Sequence, residues 1–275
     1  PGFPEVLKSF RSFAHKNAQR LHPRLRLYFR HLADPLPLIE AAVNGLTLST
    51  YRIGRFKTEE ATEHPLAGAG AALYLDLPAA LAGEARRRAA RGSILAATQL
   101  SIFDLVNAPS NKKRPLDLAG WAVQSGKRYG YAVKVMDKKE IERTGLNALL
   151  AVNQGSDAPP AFIVMEYQPG EGSVKAKVGL VGKGVTFDTG GVSIKPSSNM
   201  HYMKSDMGGA AAVFGTLEAA ARLQLPVHLV GVVPATENSI DARALKPSDV
   251  IDSHSGKTIE IIDTDAEGRL ILADG

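Results

Sequence analysis

The sequence predicts an α/β fold, with a mixed, largely parallel sheet covered by helices on both faces. In the second half, short apolar runs at residues 131–136, 161–166, 178–181 and 227–233 alternate with helical stretches at 138–144 and 206–223. Strands that alternate with helices build helix-covered sheets. The chain has 275 residues, 44% of them hydrophobic and 22% charged, which is enough to bury a core without covalent staples. There is no cysteine, so disulfides and thiol chemistry are excluded. Any metal must be held by carboxylate, imidazole, amine or carbonyl.

Residues 5–33 read as one helix with basic exposed positions. Leu46-Thr47-Leu48-Ser49-Thr50-Tyr51-Arg52-Ile53 alternates apolar and polar residues like a half-buried strand, a pattern that also suits the close of a helix. Residues 57–70, with Thr58, Glu59, Glu60, Thr62, Glu63, His64 and Pro65, read as a loop at a domain junction. A long amphipathic helix over 81–105 is stopped by Pro109, and a second helix follows over 115–129. The expected organisation is an N-terminal piece over 1–60, a linker and connecting helix over 61–100, and a principal domain over 101–275.

Charge is unevenly spread. The net charge is +5, yet residues 1–57 hold ten basic groups against three acidic ones. Arg24-Leu25-Arg26-Leu27-Tyr28-Phe29-Arg30 could follow a phosphate backbone, but a solvated helix or strand face is the favoured reading, because most charge runs are only that. No apolar run approaches the roughly 18 residues of a membrane span, and Pro1-Gly2-Phe3-Pro4 does not open like a secretory signal. A cytoplasmic protein without membrane contact is expected.

Sheets of this kind carry their working loops at the carboxyl ends of strands, and two loops there are rich in functional groups. Gly182-Lys183-Gly184-Val185-Thr186-Phe187-Asp188-Thr189-Gly190-Gly191 sets a lysine and a carboxylate among glycines, which permit tight turns and close backbone approach. It is not a phosphate-binding P-loop, because Gly184 stands where that motif needs Ser or Thr. Ser193-Ile194-Lys195-Pro196 follows, and then Asp206, which by itself reads as an N-cap for the Ala-rich helix after it. The second loop is Asp263-Thr264-Asp265-Ala266-Glu267-Gly268-Arg269-Leu270. Three carboxylates crowded into one turn repel and raise one another's pKa, so one or two divalent ions are the simplest compensation.

These blocks resemble the leucyl aminopeptidase family of dinuclear metallopeptidases, also called cytosol aminopeptidases. Its hallmark Asn-Thr-Asp-Ala-Glu-Gly-Arg-Leu appears here with Asp263 in place of the asparagine, and its Gly-Lys-Gly-x-x-Phe-Asp-x-Gly-Gly element is intact at 182–191. Further matches run through Asn199-Met200, Asp206-Met207-Gly208-Gly209-Ala210, Thr236-Glu237-Asn238 and Lys246-Pro247-Ser248-Asp249-Val250. The resemblance is strong over roughly 95–275 and weak over 40–60. It implies an N-terminal macro-like α/β domain, of which 1–60 would be a remnant, and a catalytic domain that continues beyond Gly275.

The resemblance also implies roles. Asp188 and Glu267 would bridge two divalent ions, Zn²⁺ or Mn²⁺ with Mg²⁺ also suited. Asp265 would complete one site, and Lys183 with Asp206 the other. Lys183 can ligate only as the neutral amine. Lys195 would stabilise the oxyanion of the tetrahedral intermediate, and Arg269 would hold a bicarbonate acting as general base. The bland readings are a surface lysine at 195 and, at 269, an arginine paired with Asp263 or Glu267. All seven histidines read as non-ligating, with His201 an exposed residue on the approach to a helix. The implied activity is leucyl-type, metal-dependent removal of the N-terminal residue from peptides with a free N-terminus, in a cytoplasmic homohexamer. Two other readings are a DNA-binding or architectural role through the basic N-terminal segment, and a catalytically silent relative in which Asp263 adds charge beside the metals.

Overall fold

Where the sequence reads as one helix over 5–33, the computed structural model has helix α1 (Phe3–Lys16) and then strand β1 (Arg24–Tyr28). Pro23 explains the difference. It disfavours helical backbone at His22, and the Arg-Leu-Arg-Leu-Tyr run beyond it has the two-residue period of a strand. Residues 46–53 end helix α2 (Leu36–Leu48) instead of forming a strand. Residues 39–46 of α2 are all buried, so its apolar character is continuous and only the last turn mimics alternation. The true partner of β1 is β2 (Ala72–Asp76), which lies parallel to it from Arg24 opposite Ala72 to Tyr28 opposite Asp76. Residues 2–59, 62–170 and 174–275 are described; Glu60 and Ala61, within the expected junction loop, lie outside them.

Two compact units divide at Ser101–Ile102. Residues 61–100 therefore belong with the first unit, contributing β2 and most of helix α3 (Ala82–Asn107). Its core gathers Phe29, Ile39, Ala42, Val43 and Ala85. The half-hidden guanidinium groups of Arg88 and Arg91 reach the buried Glu40 at 3.3 and 3.2 Å.

In the second unit, α4 (Pro115–Tyr129) ends at Gly130, whose φ of 79° is left-handed. Strand β3 (Ala132–Met136) follows, then α5 (Lys138–Thr144), α6 (Asn147–Asn153) and β4 (Ala161–Tyr167). Asp137 caps α5 by accepting the Glu140 N–H at 2.9 Å. Beyond them lie β5 (Ala176–Val181), β6 (Gly184–Asp188), α7 (Gly208–Arg222), β7 (Val227–Asn238), the small hairpin β8 (Val250–Asp252) and β9 (Thr258–Glu260), and α8 (Glu267–Asp274).

The main sheet has the order β3-β4-β7-β5, with β6 also on β7. It is mixed: β5 and β6 run parallel to β7, while the β3–β4 and β4–β7 pairs are antiparallel. One crossover helix would return the chain for a parallel partner. Two consecutive seven-residue helices, α5 and α6, stand there instead, and β4 runs antiparallel. Helices α4 and α7 cover one face, burying Leu118, Phe214 and Leu217 against Ile163 and Met165. Trp121 stacks on Phe214 with ring centres 5.3 Å apart, a contact worth about 1 kcal/mol beyond its area. Ile141, Leu149 and Ile271 fill the opposite face with Phe162 and Val185. No described helix is long and apolar enough to cross a membrane.

Candidate metal centre

The site begins at a break in the sheet. Val181 of β5 lies opposite Val232 and Gly184 of β6 opposite Ala235, so Gly182-Lys183 falls between two strands that both follow β7. The start of α7 presses on this break. The Ala210 N–H donates to the Lys183 carbonyl at 2.9 Å, and a Cβ on Gly182 would lie 2.6 Å from the Gly209 carbonyl oxygen. Close backbone approach therefore fixes where the lysine leaves the chain. Its amine is pressed on from the start of α8, where a Cβ on Gly268 would lie 2.9 Å from Lys183 Nζ.

Asp188 ends β6 and is 2% exposed. Its Oδ1 accepts the Gly190 N–H at 2.9 Å and Asn238 Nδ2–H at 2.8 Å, while Oδ2 lies 2.9 Å from Lys195 Nζ. Asn238, at the end of β7, also donates to the Thr264 carbonyl at 3.1 Å. It thus ties the two carboxylate-bearing loops together. Gly191, at φ 66°, turns the first loop where a side chain would strike Thr264 and Asn238. The Thr264 hydroxyl donates to the Gly190 carbonyl at 2.7 Å and accepts the Ser193 N–H at 2.8 Å. Asn238 and Thr264 are positioning residues whose roles the linear motif does not reveal. A polar side chain at the end of a central strand is the one sequence signal for Asn238.

Asp265 and Glu267 come from the single turn Thr264–Ala266 and the first residue of α8. Ligand oxygens of Asp188, Asp265 and Glu267 lie within 4.8 Å of one another. Asp206 joins them through Lys183, whose Nζ is 2.8 Å from Asp206 Oδ2 and 2.6 Å from Glu267 Oε1. Asp206 is therefore not the helix cap that its sequence position suggests; Met207 occupies the N-cap position and makes no side-chain cap. Lys195 Nζ lies between Asp188 and Asp265, which removes the surface-lysine reading.

Burial pushes the carboxyl groups of Glu267 and Asp206 above the ordinary range, although Lys183 pulls both down and Asp188 adds to the upward push. Burial also works against the Lys183 charge, but Asp206 and Glu267 outweigh it and hold that amine above the usual lysine range. The cluster thus answers its own excess of negative charge with ammonium groups.

Two predicted features lie elsewhere. Arg269 is exposed and makes no ion pair with a described residue, so the bland reading of an arginine paired with Asp263 or Glu267 does not hold. It lines a cavity of about 360 Å³ with Glu260, Asp263 and Leu270. Asp263 accepts the Asp265 N–H at 2.9 Å. Its oxygen caps the following turn, a role that asparagine fills equally well. His201 is exposed and packs on Tyr202, with ring centres 4.1 Å apart.

The donor set suits divalent metal. Glu267 Oε1 and Asp206 Oδ2 are buried against the Lys183 ammonium, at 2.6 and 2.8 Å, and the buried Glu267 Oε2 has no hydrogen-bond partner among the described residues. Buried carboxylate oxygens without donors call for a cation. Four carboxylates and one amine, with no thiolate or imidazole, match Mg²⁺, Mn²⁺ or Zn²⁺. Comparison with known sequences decides the family: the catalytic-domain model of the cytosol aminopeptidase family matches residues 102–275. The chain belongs to the cytosol aminopeptidase family. A probable cytosol aminopeptidase of Chlorobium luteolum is 49% identical over 246 residues, covering 86% of this chain and 48% of that protein. One from Mycobacterium marinum is 43% identical, covering 85% and 45%. Among solved structures, the bottromycin maturation enzyme BotP in complex with Mn superposes with a TM-score of 0.82 at 35% identity. That match covers 98% of this chain and 56% of BotP. The chain spans about half the length of the curated cytosol aminopeptidases it matches.

Proposed function

We propose that the full protein is a leucyl-type dinuclear metallo-aminopeptidase that removes the N-terminal residue from peptides with a free α-amine. The observation that carries this reading is Glu267, 1% exposed, with Oε2 lacking a donor, Oε1 held by Lys183, and a ligand oxygen within 4.8 Å of those of Asp188 and Asp265. Asp188 and Glu267 would bridge two ions, Asp265 would complete one site, and Lys183 with Asp206 the other. Two bound divalent ions supply Lewis acidity and an activated water near neutral pH.

The chain's own groups do the rest. Asn238 and the Gly190 N–H fix one oxygen of Asp188, and the other, 2.9 Å from Lys195, would ligate. Lys183 must release its proton to ligate, and the lack of a side chain at Gly268 leaves room for its stem and amine, which a Cβ there would strike at 2.9 Å. Lys195 sits beside the carboxylates with a permanent charge and would donate to the oxygen that becomes negative as the scissile carbonyl is attacked. Arg269, unpaired among the described residues, would hold bicarbonate as general base. Mn²⁺ or Zn²⁺ is the proposed metal; the manganese complex of BotP supports the first. Asp263, turned onto its own loop, gives no support to a silent relative. By family membership, the full protein is proposed as a cytoplasmic homohexamer.

A free α-amine is the defining requirement. Full-length protein with Mn²⁺ should hydrolyse leucine p-nitroanilide and leave the N-acetyl derivative uncleaved, read by nitroaniline absorbance. Equal cleavage of both would remove the aminopeptidase reading.

A further inference from the structure

The turn that leads into Asp206 is held by a residue that none of the chemistry above uses. Lys113 follows the short turn Ser110–Lys112 and, at 1% exposed, is among the largest fully buried side chains. Its Nζ donates to the Val106 carbonyl at 3.3 Å and to the Lys204 carbonyl at 2.5 Å, and no described carboxylate pairs with it. All three residues lie in the second unit. Burial pushes the ammonium down to about 8, and the charge of Lys204 adds to the lowering. A neutral amine keeps two N–H groups, one for each carbonyl, so the contact does not depend on its protonation state.

Val106 lies in the last turn of α3, where carbonyls lack helical partners and a cation is favoured. That accounts for one of the two contacts. The other reaches the turn Met200–Ser205, none of whose six residues is buried. The Lys204 carbonyl accepts no backbone N–H among the described residues. Two residues on, Asp206 sets its Oδ2 2.8 Å from Lys183 Nζ, and the fully buried Met207 returns the chain to the core. Asp206 is thus bracketed by two anchors, the Met207 side chain after it and the Lys113 amine before it. An ammonium buried without a counter-charge is a costly way to fill space. What this one supplies is a donor to a stretch of backbone with no buried side chain of its own.

We infer that Lys113 is a positioning residue for the metal centre: it fixes the turn before Asp206 and so sets that carboxylate beside Lys183, where the two would ligate the second ion. The inference rests on the dinuclear reading above. Lys113 touches none of the proposed ligands and acts through the Lys204 carbonyl.

Hydrogen exchange read by mass spectrometry on metal-free full-length protein, and calorimetric titration of the same preparations with Mn²⁺, test this in wild type, Lys113→Met and Lys113→Gln. Lys113→Met keeps an apolar stem and removes the amine. It should speed exchange across 203–207 at least tenfold while β4 and 263–268 exchange as in wild type. The first Mn²⁺ should bind with unchanged affinity and the second about tenfold or more weakly, the effect expected when a residue that orients a ligand is lost. Lys113→Gln, which keeps N–H donors on a shorter stem, should recover part of the second affinity. Two ions bound by Lys113→Met as tightly as by wild type would overturn the role of Lys113 alone. So would faster exchange spread evenly over the sheet, equal losses at both ions, or no recovery in Lys113→Gln, each of which leaves the residue a general support of the fold. Fewer than two ions in wild type would overturn the dinuclear reading and this inference with it.

Discussion

Replacing Glu267 with alanine in the full-length protein is expected to lower kcat/KM for leucine p-nitroanilide by about 10³-fold or more, which corresponds to roughly 4 kcal/mol of transition-state stabilisation. The loss should come with a fall in bound metal. Glu267 is the most deeply buried carboxylate of the cluster, with Oε1 on Lys183 and Oε2 without a donor among the described residues. Its removal takes away the proposed bridge and leaves Lys183 with Asp206 as its remaining anionic partner. Glu267→Gln separates charge from shape: it preserves the packing beside Gly268, so a comparable loss there assigns the effect to the carboxylate. Metal content by atomic emission and turnover on the same preparations check both parts.

Lys195→Ala should behave differently, lowering kcat by about 10²–10³-fold with KM little changed and metal content intact. Its ammonium touches Asp188 and Asp265 without being one of the proposed ligands. Burial opposes the charge, but those two carboxylates hold its pKa above the ordinary lysine range. The folded pKa is raised, so the stabilisation from these pairs is fully present below the unfolded lysine value and is lost only as pH rises through the folded one. In the metal-free cluster these pairs keep the amine charged around neutrality. The substituted protein should therefore lose rate by a similar factor from pH 6 to 9, whereas a proton-transferring lysine would give a loss that varies with pH. A parallel drop in metal content would instead make Lys195 a structural counter-ion.

The site was more legible in the sequence than the fold around it. Lys183 and Asp188 flank and end β6, so most of the glycine-rich stretch read as a loop is a short strand, while Asp265 and Glu267 stand in one turn at the start of α8; the close spacing within each pair is what the sequence shows. Asp206 was ambiguous because the residue before an Ala-rich helix is favoured as a cap on local grounds, and only Lys183, 23 positions earlier in the chain, draws its carboxylate away. Asn238 and Thr264 act through hydrogen bonds between loops distant in sequence, which no local pattern encodes. In the first unit, Pro23 was the signal that a basic run had become a strand. The alternation at 46–53 left strand and helix end undecided because a helix buried on nearly every side carries no polar face to mark its period.

Stepwise addition of Mn²⁺ to chelator-dialysed full-length protein, with leucine p-nitroanilide hydrolysis and bound metal read together, tests the dinuclear account most directly. Turnover should be absent without metal, rise with addition and saturate at about two ions per chain. Full activity in the metal-free protein, or two bound ions with no turnover, would contradict it.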